Sequence, residues 1–251
     1  MRFSLLVLSI VTSTNVSAQL FRSDTARWSA ALNGSMSLNF GNVDRVLLFG
    51  SADGQHVGDV LGIKNRSTWQ YGFFGTRTTD SEINSRTVLY LYPKDAWYTF
   101  ATYWYTHSLQ RGLDSRSLAS IGLTRVLVHD STDLVKISLS AAYEYSNYRG
   151  MAFVARPDIN DDRIVSPRVV GWLYGAHDVG TAPITIEYEC WLAPSVSDIN
   201  NVRFYGTGSI RWPLSRHIAL TLTSVASWES VVVVGRKPTD VLFLFGLTVR
   251  V

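Results

Sequence analysis

The sequence predicts an all-β fold: a single closed antiparallel transmembrane β-barrel of about twelve strands, which follows a cleavable signal peptide. Three observations predict it. Apolar and polar residues alternate with a period of two over long segments. A short apolar stretch near the N-terminus ends at a small-residue motif, and no later run of apolar residues is long enough for a spanning helix.

The N-terminal segment has the three parts of a secretory signal. Arg2 gives a positive start, residues 5–11 (LLVLSIV) are apolar, and Val16-Ser17-Ala18 is a small-residue cleavage motif. The apolar part is shorter than the ~20 residues that a spanning helix requires. The sequence therefore predicts a signal peptide over residues 1–18 and an outer-membrane barrel over residues 19–251.

The first strand is predicted over residues 28–40, WSAALNGSMSLNF. Its even positions are apolar or glycine, and its odd positions are mostly Ser and Asn, so a strand here has one apolar and one polar face. Strands of soluble sheets are typically about 5–6 residues long. Since roughly 9–11 residues cross a bilayer obliquely, the length favours a membrane strand.

The same alternation predicts the remaining strands. It is strong over residues 134–147, 183–192, 202–212, 218–229 and 241–251. It is weaker over residues 43–53, 61–75, 84–92, 96–107, 116–128 and 164–176. No segment has convincing helical periodicity, so twelve strands are expected.

The predicted connections differ in length between the two ends of the strands. Short turns at Pro93 and Pro213 and over residues 129–133 are expected on the periplasmic side. Longer loops are predicted on the external side, over residues 77–85, 107–115, 148–163, 194–200 and 230–240. This asymmetry is typical of outer-membrane barrels, although the predicted periplasmic connection over residues 54–60 is longer than usual.

A soluble β-sandwich is the alternative fold, because its strands also alternate. Two features favour the barrel. The apolar faces are longer than a sandwich core uses, and the opposite faces carry Ser, Thr and Asn with isolated charges, as expected of an enclosed hydrated interior. In hydrocarbon every backbone polar group must be paired, which requires the sheet to close.

Candidate functional residues are the charges on the predicted polar faces. Both signs occur on neighbouring strands, so these side chains are expected to face the lumen, where ion pairs would fill a narrow interior or set the selectivity of a small pore. About twelve strands give an intermediate width, and a largely filled interior is favoured. The predicted lumen-facing charges are Lys136, Glu144, Glu187, Glu189, Arg203, Arg211, Glu229 and Arg250.

Other candidate chemistry is weak in the sequence. The dipeptides His129-Asp130 and His177-Asp178 are not expected to act as catalytic dyads, because adjacent side chains of a strand point to opposite faces. Both fall at predicted turns and are interpreted as solvated turn residues. The Asp158, Asp161 and Asp162 cluster misses the calcium-loop spacing and is interpreted as a solvated loop. No metal or cofactor motif is present, and Cys190, the only cysteine, is predicted to face lipid. The net charge of +3 is carried by scattered residues, so no nucleic-acid surface is expected.

From Trp28 onward the chain resembles the DUF481 family, which is also described as YdiY-like or putative salt-induced outer membrane proteins. The segments that carry the resemblance are WSAALNGSMSLNFGNVDR (28–45), GLDSRSLASIGLTRVL (112–127), SLSAAYEYS (138–146), LAPSVSDINNVRF (192–204), IRWPLSRHIALTLT (210–223) and KPTDVLFLFGLTV (237–249). The departures are the final Val251, where such chains usually end in an aromatic residue, and a long loop around residues 151–163. The resemblance implies an outer-membrane barrel and carries over no catalytic residue.

The expected function is that of a monomeric envelope protein, non-enzymatic, with a structural or narrow-pore role. Its expected partners are outer-membrane lipids, lipopolysaccharide and the outer-membrane assembly machinery. The last strand, with Leu244, Gly246, Val249 and Val251, resembles the C-terminal recognition signature of bacterial outer-membrane proteins. No cofactor is expected. Two alternatives remain open: a barrel-embedded hydrolase acting on lipids or peptides, and a soluble secreted β-sandwich that binds a ligand.

Overall fold

The computed structural model describes residues 28–39, 45–150, 152–154, 158, 161–179, 184–215 and 218–249. The predicted signal peptide and the predicted lumen-facing Arg250 lie outside these residues. The strands are β1 Trp28–Asn39, β2 Arg45–Val57, β3 Leu61–Phe74, β4 Arg77–Leu91, β5 Trp97–Ser108, β6 Leu113–His129, β7 Asp133–Tyr148, β8 Arg163–Val179, β9 Ile184–Pro194, β10 Val202–Pro213, β11 Ile218–Glu229 and β12 Thr239–Val249.

These strands form one antiparallel sheet in which every strand pairs with the next in the chain. The sheet order runs from β1 to β12, as short connections between antiparallel neighbours permit. The predicted all-β antiparallel fold is confirmed. Within the described residues, no helix has the length and apolar character needed to cross a membrane.

The sheet is strongly curled into at least a half-barrel. Arg86 on β4 lies 2.7 Å from Glu189 on β9, and Arg116 on β6 lies 2.8 Å from Glu229 on β11. Each pair joins strands that are five places apart in the sheet order. In a flat sheet those strands would be about 24 Å apart, because neighbouring strands are separated by about 4.8 Å. Side chains on strands that are five places apart can meet only if the sheet bends back on itself.

Burial on the two faces is the reverse of that in a soluble protein. On β7, Lys136 and Glu144 of the concave face are 4% and 1% exposed, whereas Leu139 and Tyr143 of the convex face are 62% and 59% exposed. We call the concave face the inner face and the convex face the outer face. Charged groups are ordinarily exposed and large apolar groups buried in water-soluble domains. The outer face therefore exposes large apolar side chains to its surroundings.

The five strongly alternating segments coincide with β7, β9, β10, β11 and β12, and their bounds agree within two residues where the structure describes them. The weaker segments are also strands, but several are longer than predicted. The long external loop predicted over residues 77–85 is wrong, because these residues begin β4 and the connection is only Gly75 and Thr76. Gly75 takes the left-handed conformation (φ +56°) that such a short reversal requires.

Two other connections are shorter than predicted. β2 continues to Val57, so the connection to β3 is residues 58–60, and the connection from β5 to β6 is residues 109–112. The strand ends beyond the apolar band are polar on both faces and give no alternation, so they are read as loop from the sequence. Cross-strand polar contacts stabilise them instead, as where Ser108 donates a hydrogen bond to Glu82 (2.7 Å).

Candidate functional site

The two ends of the curled sheet have different connections. The end that carries the connections over residues 149–162, 195–201 and 230–238 is called the loop end. The opposite end, with the connections over residues 92–96 and 130–132, is called the turn end. At the turn end the predicted Pro93 turn is present, with the amide of Asp95 donating to the carbonyl of Tyr92 (3.0 Å).

Five buried charges meet on the inner face near the loop end. We call this group the mouth cluster, and its members are Arg116, Glu144, Arg168, Arg203 and Glu229. The residues come from β6, β7, β8, β10 and β11, respectively. They converge because each occupies an inward position near the end of its strand and because the curl brings β6 opposite β11.

Arg116 and Glu229 form the best-connected pair of the mouth cluster. Two guanidinium nitrogens of Arg116 donate to the two carboxylate oxygens of Glu229, each at 2.8 Å. Arg116 also donates to Oγ of Ser146 (2.9 Å) and to the hydroxyl of Tyr148 (2.7 Å). The loop residue Arg111 donates to the same carboxylate at 2.7 Å. This two-point geometry fixes the orientation of both side chains.

Glu144 joins the other two arginines. Arg168 donates to one of its carboxylate oxygens at 3.0 Å, and Arg203 forms an ion pair with the other. Arg168 is held further by the main-chain carbonyl of Ala193 (2.7 Å) and by Oδ1 of Asn201 (2.8 Å). Burying such charges is costly unless each is paired and hydrogen-bonded, and here the pairing extends through five strands.

A second ion pair crosses the middle of the inner face. Arg86 and Glu189, which we call the central pair, lie 2.7 Å apart, and the guanidinium carbon of Arg86 is 4.8 Å from the ring centre of Trp172. Trp104 and Trp191 pack edge-to-face beside it, with ring centres 5.0 Å apart. Arginine is suited to this position because its planar guanidinium stacks on aromatic faces while pairing with a carboxylate.

Closer to the turn end, aromatic and apolar side chains cluster on the inner face. Val88, Tyr90, Tyr98 and Phe100 form a buried group that we call the aromatic layer. Leu134, Tyr174 and Ala176 form a neighbouring buried group, and Val126 packs against both. Large side chains thus fill the concavity on the turn-end side of the central pair.

The loop end is covered by two connections that pair with each other. Phe153 of the β7–β8 connection forms an isolated antiparallel bridge with Val233 of the β11–β12 connection. The amide of Val154 donates to the carbonyl of Val232 (3.0 Å), and that of Val234 donates to the carbonyl of Ala152 (2.9 Å). Phe153 is buried with Leu113, Tyr148, Ile164 and Val231. We call this paired segment the loop bridge.

The structure places seven of the eight predicted lumen-facing charges among the described residues. Glu144, Arg203 and Glu229 are brought together in the mouth cluster, and Glu189 belongs to the central pair. The other three are separate: Lys136 lies 5.5 Å from the ring centre of Tyr98, Glu187 is buried, and Arg211 donates to Oγ1 of Thr185 (3.3 Å). That their face encloses water stays a prediction.

Sequence reasoning missed the arginines that hold these carboxylates. Arg86, Arg116 and Arg168 lie on β4, β6 and β8, where the alternation is too weak to identify the inward positions. Residue spacing could have found them, because residues that lie an even number of positions apart on a strand point to the same face. Each lies an even number of residues from an inward neighbour on its own strand, as Arg116 does from Leu118 and Thr124, which are both buried.

The histidines make contacts that their sequence neighbours do not suggest. His177 lies in β8 and not at a turn, and its Nδ1 is 2.6 Å from Asp133 while its Nε2 is 3.2 Å from the hydroxyl of Tyr188. His107 has Nε2 3.2 Å from Oγ of Ser81. The interpretation of Asp130 as a turn residue agrees with its hydrogen bonds from the amides of residues 132 and 133. Among the described residues, no group of three or more His, Cys, Asp or Glu side chains is arranged to hold a metal ion.

Comparisons with known proteins agree with this architecture. The family model "Protein of unknown function, DUF481" matches residues 9–251. A solved structure described as the NanC porin superposes with a TM-score of 0.51 at 10% identity, covering 88% of this chain and 99% of that chain. At this identity the likeness concerns the fold alone. No curated protein matches the chain in sequence.

Proposed function

Because the chain belongs to the DUF481 family and its fold is similar to that of a porin, we propose that it forms a closed barrel of about twelve strands in a bacterial outer membrane. Residues 1–18 would direct its export and be removed. Its partners would be outer-membrane lipids and lipopolysaccharide, and the C-terminal strand would engage the assembly machinery. The barrel would be a monomer.

The observation that carries this proposal is the reversed burial of the two faces. Apolar side chains such as Leu139, Ile121 and Phe245 are exposed on the outer face, while Glu144 and Arg116 are buried on the inner face. In water this arrangement would cost the transfer free energy of every exposed apolar group. In hydrocarbon it is favourable, provided that the sheet closes and satisfies its edge strands.

We further propose that the barrel is a non-enzymatic envelope component whose interior is largely filled. The mouth cluster, the central pair and the aromatic layer occupy successive levels of the inner face, and the loop bridge covers one end. Barrels of 16–18 strands conduct freely, whereas barrels of about eight are filled by side chains, and a barrel of about twelve is intermediate. A narrow pore remains compatible with this filling if small ions pass between the paired charges.

Two measurements test the membrane and filling proposals separately. The purified protein should require detergent, and its gel mobility should change on boiling because a folded barrel resists dodecyl sulfate. In planar bilayers the conductance should be far below that of an open 16-stranded porin. Solubility without detergent would exclude the membrane barrel, whereas large steady conductance steps would exclude the filled interior.

The rival function is hydrolysis, and one contact favours it. Oγ of Ser81 lies 3.2 Å from Nε2 of His107, and Nδ1 of His107 lies 2.7 Å from the carbonyl oxygen of Asp114. A carbonyl acceptor there leaves Nε2 able to accept the serine proton, as a general base must. Both side chains lie on the outer face. If the protein is an esterase, Ser81→Ala and His107→Ala will each abolish the release of fatty acid from phospholipid, and Ser85→Ala will not.

A further inference from the structure

We propose that the loop end binds a small soluble oxyanion with two negative charges, of the phosphate or dicarboxylate class, in a cleft between the mouth cluster and the β11–β12 connection. The proposal rests on the proposed barrel only in that a membrane would leave this end open to the external solution. It concerns a binding site and requires no transport.

The cleft is formed where the mouth cluster meets the loops. Its volume, counted together with the part that opens to solvent, is about 460 Å³. Arg116, Tyr148 and Glu229 line the part of the cleft formed by the strands. Arg236 and Lys237, which we call the outer cations, line the part formed by the β11–β12 connection. Strand residues thus provide the fixed part of the site, and loop residues provide the exposed part.

The lining carries more positive than negative charge. Its cations are Arg111, Arg116, Arg236 and Lys237, and its carboxylates are Glu229 and Asp240, which leaves an excess of two positive charges. Both carboxylates already form ion pairs with Arg111 or Arg116. Glu229 accepts from both Arg111 and Arg116, and Asp240 lies 2.8 Å from Arg111.

The two outer cations are the groups available to a ligand. Arg236 and Lys237 are exposed, and no carboxylate within the described part of the chain forms an ion pair with either. The hydroxyl of Tyr148 accepts a hydrogen bond from Arg116, so its own hydrogen is left to donate into the cleft. A guanidinium, an ammonium and a hydroxyl together favour an oxyanion over any cation or neutral molecule.

The loop that carries the outer cations is held in place before any ligand binds. The amide of Arg236 donates to the carbonyl of Val233 (3.0 Å), and the amide of Glu229 donates to the carbonyl of Pro238 (2.9 Å). Gly235, in the left-handed conformation with φ +86°, makes the reversal possible. The loop bridge anchors the remaining side through Val233. Preorganised groups lose less entropy on binding, which raises affinity.

A free anion fits this site better than a lipid headgroup. The cleft is lined by the inner-face residues Arg116 and Glu229, whereas acyl chains would contact the outer face, where Ile121 and Leu139 are exposed. A phosphate carried by lipopolysaccharide would have to pass over the strand ends to reach it. The excess of two positive charges matches one dianion, and we therefore expect one site per chain.

The test measures phosphate binding to the full-length mature protein in detergent by equilibrium dialysis at fixed chloride concentration. The variant Arg236→Gln/Lys237→Gln removes the two outer cations, and both positions are exposed, so the fold should tolerate the change. The matched control is Lys94→Gln/Arg125→Gln, which removes the same charge at the turn end, from two residues that are also exposed. A dicarboxylate is used as competitor, and lipopolysaccharide is added in a separate arm.

The wild-type protein and the control should bind one phosphate per chain, competed by the dicarboxylate, and the cleft variant should bind roughly tenfold or more weakly. Absence of saturable binding at millimolar phosphate, equal binding by the cleft variant, or displacement only by lipopolysaccharide would each overturn the free-anion site. The gel shift on boiling is recorded for every protein. If it persists while binding fails, the site alone is wrong, and if it is lost in the wild type, the barrel proposal fails as well.

Discussion

The loop end and the turn end of the inner face fill the same concavity with opposite chemistry. The loop end contains the mouth cluster, where Arg116 and Glu229 are buried ions. The turn end contains the aromatic layer, where Tyr98 and Phe100 are buried rings. The connections differ as well, since the loop end is covered by the loop bridge and the turn end has short reversals.

The difference teaches that a curled sheet can be stabilised from within in two ways. Rings contribute area and packing that depend little on their exact partners. Buried ion pairs contribute little net stability relative to apolar groups of the same size, but breaking one is costly because it leaves a charge without its partner. The loop end should therefore tolerate few substitutions, while the turn end should respond mainly to lost volume.

The largest expected effect is at the loop end. Arg116→Ala removes four hydrogen bonds and leaves Glu229 with the weaker support of Arg111 and Arg203. We expect it to lower the free energy of unfolding by about 4 kcal/mol, the central value for breaking a buried ion pair. Urea titration of the protein in detergent micelles or vesicles, followed by tryptophan fluorescence, measures this change.

The matched control is an ion pair outside this cluster. Lys94→Ala breaks the exposed pair with Asp59 (2.9 Å) at the turn end and should cost less than about 1 kcal/mol. Equal losses in the two variants would show that burial does not distinguish the pairs, and the comparison of the two ends would then lose its electrostatic basis.

A smaller effect is expected at the turn end. Phe100→Ala removes a buried ring that packs against Trp172, with ring centres 6.2 Å apart, and should cost about 3 kcal/mol. It should also raise the conductance in planar bilayers, because the aromatic layer would lose part of its filling. Tyr103→Ala, which removes an exposed ring from the outer face of the same strand, should leave the conductance unchanged. An unchanged conductance in both variants would indicate that the narrowest level lies elsewhere.

The two ends also differ in how far the sequence predicts them. Alternation predicts the strands that bear Glu144, Glu189 and Glu229, because nearly all of their outward positions are apolar. It predicts neither Arg116 as the partner of Glu229 nor the extension of β4 over residues 77–85. Pairs between strands five places apart depend on the curvature of the sheet, which no local pattern contains, and polar strand ends resemble loops in sequence.

The smallest expected effect concerns the turn that joins β6 and β7 at the turn end. Hydrogen bonds from the amides of Thr132 and Asp133, and from the Thr132 hydroxyl, lower the pKa of Asp130 below its ordinary value. A lowered pKa means that the ionised form is favoured in the folded turn. Its contribution is therefore fully present above the ordinary aspartate pKa of about 3.9 and is lost as the pH falls through the lowered value.

The Thr132 amide reports this titration directly. Its NMR shift in the wild-type protein should move with a midpoint below about 3.9, as the carboxylate that accepts its hydrogen bond is protonated. Asp130→Asn keeps an acceptor oxygen at the same place but cannot titrate, so the step should disappear while the turn persists. A midpoint above the ordinary value, or an identical step in the asparagine variant, would assign the titration to another group such as Asp133. Since Asp130 is fully exposed, the change should remain confined to this turn and leave the ion pairs of the loop end intact.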